Sequence, residues 1–225
     1  MDVLEYVEIS DGVGPSARGT CDYIWNTPLP EDKIIMHFGH MYLTVSDVDS
    51  LRPGHWVNSM ILDVVGWMLV VEDIGSNCNG RRGYLPCTLS TQLIEGCMSP
   101  NELAEFWNAH MKHFGTVSTC ETIFIPINSN NQHWYLCVVD TGMLEVKVLD
   151  SLPTTRSNSA RMAVVKKLIK SLADCFMDEQ FVKVFGSPRV ALTELRVVLP
   201  KVKSQSNGYI VYSILLKNPI LYPLY

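Results

Sequence analysis

A chain of 225 residues, 47% hydrophobic and 18% charged, is long enough for one sizeable domain with a true core and has the balance of a globular protein. Its net charge of −5 gives no general affinity for nucleic acid, and a mildly acidic surface selects no particular protein partner. Seven cysteines stand at positions 21, 78, 87, 97, 120, 137 and 175, with no CxxC among them. Met1-Asp2-Val3-Leu4-Glu5 shows neither a basic nor an apolar leader. Together these point to an intracellular, reducing compartment with free thiols. Cys78 and Cys87 are too loosely spaced for a zinc site, so no metal is expected, and no residue pattern asks for a cofactor. The longest apolar run, Met60 to Val71, is interrupted by Asp63 and is shorter than the roughly 20 residues of a membrane span.

In chain order, residues 1–34 are rich in Gly, Pro and Asp (Gly12, Gly14, Pro15, Pro28, Pro30) and read as an extension or loosely docked arm. The compact domain is expected over 35–225, abbreviated at its carboxyl end. Asn58 can cap a helix running to about Val71, with Met60, Ile61, Val64, Val65 and Met68 on one face. Pro100 opens a helix over Asn101 to about His113. Strands follow at Thr122–Ile127, Trp134–Asp140 and Glu145–Asp150, the last two joined by a turn at Asp140-Thr141-Gly142. Ser159 to Phe176 is an amphipathic helix, with Met162, Val165, Leu168, Ile169 and Leu172 inward and Lys166, Lys167 and Lys170 outward. Leu195–Leu199 is a last strand, stopped by Pro200, and Tyr209–Leu216 is apolar without a decisive period. Helices early and late with hairpin-linked strands between predict an α+β fold.

His133 stands at the mouth of one apolar strand and Asp150 at the end of its hairpin partner. Antiparallel pairing brings such positions together. A hydroxyl or thiol is a weak nucleophile until a base takes its proton, and the base needs a carboxylate to fix its tautomer. The same residues also serve bland roles: a strand-edge His is commonly solvated, and an Asp before Ser-Leu-Pro commonly forms a turn.

Ile125-Pro126-Ile127-Asn128, His133-Trp134, Val138-Val139-Asp140, Leu149-Asp150-Ser151-Leu152 and Gln205-Ser206-Asn207-Gly208-Tyr209 occur in an order and spacing that resemble the ubiquitin-like-protein-specific (SUMO- or sentrin-specific) cysteine proteases. Leu51-Arg52-Pro53-Gly54-His55-Trp56-Val57-Asn58 resembles that family's opening motif, so the likeness covers about residues 40–217. It implies a papain-like fold with a central, mostly antiparallel sheet flanked by helices. It implies His133 as general base, Asp150 as its orienting partner and Gln205 as an oxyanion-hole donor. Trp56 and Trp134 would line the narrow tunnel for a Gly-Gly tail, where only glycine leaves room for two indoles to close on the backbone. The implied partner is a ubiquitin-like protein of the SUMO type, or its conjugates, met by a monomer in the nucleus or cytoplasm without nucleic acid, membrane or cofactor.

The pattern breaks at the nucleophile. In the family the Gln motif runs into Asp-Cys-Gly with the Cys six residues after the Gln; six on from Gln205 is Val211, flanked by Ile210 and Tyr212. Three substitutions account for this, or one loss of three residues after Tyr209, which keeps the apolar start of a helix in register. Ser59 also departs from the acid usual after the Asn. Cys137 shares a strand with His133 but lies roughly 13 Å along it, and Ser206 and Ser213 read as ordinary hydroxyls. Three readings follow: a cysteine-type peptidase, a pseudoprotease that keeps tail recognition, and a remnant of a decayed gene.

Overall fold

The structure is a computed structural model that describes residues 17–38, 41–52, 54–75, 82–108, 117–129, 133–152 and 155–202. It falls into two compact units, Met1–Val65 and Gly66–Tyr225.

In the first unit, α1 (Ala17–Asn26) is followed by a hairpin of β1 (Ile34–Phe38) and β2 (Met41–Thr44), then α2 (Val45–Asp49). Thr44 and Asp47 cap α2 reciprocally: Thr44 Oγ1 accepts the Asp47 N–H at 3.3 Å, and Asp47 Oδ2 accepts the Thr44 N–H at 2.8 Å. The core gathers Ile24, Leu43, Val48, Ile61 and Val64, each side chain contributing roughly 1.5–3 kcal/mol on burial. Ile24 belongs to the stretch read from sequence as an extension. The reason α1 packs lies further along the chain: its Trp25 Nε1 donates to Val48 O at 3.2 Å, and Arg52 donates to Trp25 O at 2.8 Å.

The helix expected from Asn58 is α3 (Ser59–Gly75), and Asn58 Oδ1 does accept the Met60 N–H at 2.9 Å. Its inward face differs from expectation. Leu62 is fully buried alongside Ile61 and Val64, whereas Met68 is 49% exposed.

The second unit holds a five-stranded sheet in the order β3 (Arg82–Tyr84), β4 (Thr122–Ser129), β5 (His133–Asp140), β6 (Glu145–Leu149), β7 (Arg196–Val198). The central pairs β4–β5 and β5–β6 are antiparallel, and the short edge strands β3 and β7 pair parallel. Residues 123–127 of β4 and 134–139 of β5 are buried without alternation, as expected of strands covered on both faces. Pro126 is tolerated because β3 pairs only as far as Phe124, and the Pro126 carbonyl is taken by the buried Ser90 hydroxyl at 2.7 Å.

The β5–β6 turn is Thr141–Leu144, one residue beyond the expected Asp140-Thr141-Gly142 and one residue longer. Its left-handed residue is Leu144, at φ 55°, and the Leu144 carbonyl accepts the Arg196 N–H at 3.2 Å, tying the turn to β7. Asp140 holds the turn by accepting the Met143 N–H at 2.8 Å.

Helices α4 (Cys87–Glu95), α5 (Pro100–Phe106), α6 (Thr155–Phe176) and α7 (Glu179–Phe185) complete the unit. Pro100 stands in the first turn of α5 behind a Ser99–Glu102 capping box. The helix expected to reach His113 is regular to Phe106, and residues 109–116 lie outside the described ones. Trp107 is fully buried, edge-on to Phe176 at 5.5 Å and Phe181 at 6.0 Å, and so joins α5 to α6 and α7. On α6 Val165, Leu168, Ile169 and Leu172 of the expected stripe are buried and Met162 is only partly so, while Lys166, Lys167 and Lys170 face out. Among the described residues no helix is long and apolar enough to cross a membrane. Tyr209–Leu216 lies outside them.

Candidate active site

His133 is the first residue of β5, and Asp150 directly follows β6. The ladder pairs Leu136 with Leu149. One rung further on, Asp150 comes beside Tyr135, which shares a face of β5 with His133. There His133 Nε2 lies 2.8 Å from Asp150 Oδ1, with side chains only 12% and 2% exposed.

The carboxylate has further partners. Oδ1 also accepts the Leu152 N–H at 2.9 Å, and Oδ2 is ion-paired with the Arg161 guanidinium. Arg161 reaches in from α6. It is 9% exposed, donates to Leu152 O at 3.3 Å and stands 5.5 Å from the centre of the Tyr135 ring. That ring stacks on the His133 imidazole, with centroids 6.4 Å apart and planes 16° from parallel. A buried carboxylate is tolerable only when paired in this way.

Burial holds the His133 imidazole below its ordinary value of 6.5, and the positive Arg161 adds to the effect. At neutral pH the ring is therefore neutral. With Nε2–H given to Asp150, Nδ1 carries the lone pair and is the nitrogen able to take a proton from a group brought to it. Burial raises the Tyr135 phenol to about 12, so it stays protonated beside the imidazole.

Three thiols of the same unit shift the opposite way. Burial pushes Cys137 and Cys120 up to about 12 and Cys175 to about 11. A thiol so raised is protonated at neutral pH and is no nucleophile. Cys137, considered from sequence as a substitute, is fully buried within β5.

Of the other residues singled out from sequence, Trp134 is 8% exposed and Trp56 57% exposed; they belong to different units. Strand alternation turns Trp134 to the face of β5 opposite His133. Gln205 lies outside the described residues. Arg161 went unnoticed in the sequence, although a signal was present. It sits four residues before Val165 on the inward stripe of α6, and a charged residue on an apolar stripe calls for a buried partner.

The domain is α+β, and at one end of its helix-flanked mixed sheet a neutral imidazole lies against a buried carboxylate. Comparison with known proteins narrows the class. The family model described as the Ulp1 protease family, C-terminal catalytic domain, matches residues 102–209. Ubiquitin-like-specific protease 1 of Saccharomyces cerevisiae is 25% identical over 140 residues, which is 62% of this chain. The chain spans about a fifth of that relative, 21% of its length. Among solved structures, the C-terminal Ulp1 protease domain in complex with Smt3, the yeast ortholog of SUMO, superimposes with a TM-score of 0.67 at 19% identity, covering 92% of this chain and 83% of that one. The catalytic domain of the Ulp1-like SUMO protease of Chaetomium thermophilum gives 0.57 at 18% identity, covering 91% and 76%. The solved structures establish the Ulp1-like catalytic fold. The match to the Ulp1 protease family model covers just under half of the chain, and the sequence lacks the Asp-Cys-Gly nucleophile motif after Tyr209.

Proposed function

We propose that this chain recognises the extended Gly-Gly tail of a SUMO-type ubiquitin-like protein, free or conjugated, as a monomer, and that in the sequence given it binds without appreciable hydrolysis. The observation that carries this is the coexistence of a built His133–Asp150 pair with a sequence that has no cysteine after Cys175. The base is oriented and neutral, but the position six residues past Gln205 is Val211, which forms no thioacyl intermediate. Loss of the nucleophile from such a unit lowers turnover by on the order of a million-fold. In this reading His133 and Asp150 keep the roles of general base and orienting partner, and Gln205, Trp56 and Trp134 keep the oxyanion-hole and tail-binding roles that the resemblance implies for them.

Two measurements on the purified chain test the proposal. A SUMO-type protein titrated against it is expected to bind saturably, and Trp56→Ala, at an exposed position, to weaken that binding. A Gly-Gly electrophilic probe under reducing conditions is expected to leave no adduct. Absence of binding, or binding indifferent to Trp56→Ala, refutes tail recognition; a stoichiometric adduct refutes inactivity.

A second reading rests on one observation. The family match ends at Tyr209, the residue after which Asp-Cys-Gly would follow. Under it, the protein made from the gene carries the motif and is an active cysteine-type peptidase. Sequencing the transcript across the codons for Gln205 to Ser213 separates the two. The remnant reading requires a broad, non-cooperative melt, and a sharp one excludes it.

A further inference from the structure

Asp150 is shared. One carboxylate oxygen takes His133 Nε2 at 2.8 Å and the Leu152 N–H at 2.9 Å, and the other takes Arg161. Three separate parts of the second unit meet there: the start of β5, the turn after β6 and the first turns of α6. Arg161 has no surface role to explain its place. It is 9% exposed, covered by the Tyr135 ring and bonded to Leu152 O at 3.3 Å. A planar guanidinium on one oxygen and a backbone N–H on the other leave the carboxylate one orientation in which to meet the imidazole.

We infer that Arg161 is a positioning residue: by clamping Asp150 from α6 it fixes the tautomer and basicity of His133. The inference deepens the reading of His133 as a base and depends on it only for the site's purpose, not for the clamp. The groups that face the imidazole among the described residues are Asp150, with Arg161 behind it, and the Tyr135 phenol. Arg161 neutralises the charge that would otherwise draw a proton onto the ring. Removing the guanidinium therefore raises the affinity of His133 for its proton, and a Lys in its place, a point charge without the planar fork, restores only part of the effect.

The test is a proton and nitrogen NMR titration of the His133 ring in the full chain, with Arg161→Met, Arg161→Lys and His133→Gln for assignment. In the unaltered protein the Nε2–H tautomer is expected, with a titration midpoint below that of a free histidine. Arg161→Met is expected to shift the midpoint upward and Arg161→Lys to give an intermediate value. A folded Arg161→Met protein with an unmoved midpoint overturns the inference. If that variant does not fold, the two remaining spectra decide: an Nδ1–H tautomer in the unaltered protein, or an unmoved midpoint in Arg161→Lys, overturns it as well. Binding of a SUMO-type tail is scored separately on the unaltered protein. Absence of binding there sinks the functional reading while leaving the clamp standing.

Discussion

Asp150 meets His133 at 2.8 Å while accepting, through the same oxygen, the N–H of Leu152 two residues further on. The carboxylate is thus the turn former of its own loop and the anchor of an imidazole from the neighbouring strand. The turn bond keeps the side chain from swinging away, so orientation of the ring follows from local chain geometry together with Arg161, and needs no bound substrate.

The depressed affinity of His133 for its proton fixes the sign of a pH effect. The folded state prefers the neutral ring, so as pH falls the unfolded chain takes up the proton first. The stability this group contributes is complete above about 6.5 and is lost as the pH falls through the lower value of the folded state. Melting temperature measured against pH is expected to fall more steeply below about 6.5 for the unaltered protein than for His133→Gln. Parallel curves would show that the imidazole is not held neutral by the fold.

Thiol reactivity should divide along the line of burial. Cys97 is exposed, whereas Cys120, Cys137 and Cys175 are buried and raised to about 12, 12 and 11. With iodoacetamide at about pH 8, peptide mapping is expected to find Cys97 alkylated rapidly and those three protected until denaturant is added. Rapid native labelling of Cys137 would contradict the packing of β5, and would reopen it as a nucleophile.

Gly66 lies where α3 approaches β3. A Cβ there would overlap the Tyr84 ring, which is itself 6% exposed and held in the sheet. Gly66→Ala is expected to destabilise the protein by about 1–3 kcal/mol in urea unfolding. Combining it with Tyr84→Leu should recover part of the loss, because the two changes share one contact. Additive effects would show that the helix and strand do not touch at this point.

Some elements were plain in one dimension because their signals are local. Pro100 behind Ser99 and before Glu102 spells a helix start, and the alternation of Val165, Leu168, Ile169 and Leu172 with Lys166, Lys167 and Lys170 spells its buried side. Others were not. Ile24 sits among Gly- and Pro-rich neighbours, and its helix holds through contacts with Val48 and Arg52, far along the chain. At the β5–β6 turn the obvious glycine, Gly142, does not take the left-handed position; Leu144 does, held by Asp140 and by β7. Met68 fitted the helical period of α3 yet is exposed, because period marks a stripe and not how far along it the covering surface extends.

The candidate site divides in the same way. The residue types, their order and their place at strand ends already named His133 and Asp150 and already showed that no cysteine follows Cys175. Those are properties of spacing and composition, and folding does not alter them. That Asp150 serves two masters, that Arg161 is its second partner and that Tyr135 lies against both had to await the folded chain. The physical reason is desolvation. A charge finds its partner according to which groups are left without water when β5, β6 and α6 close together, and a linear pattern records which residues go inside, not which of them must then meet.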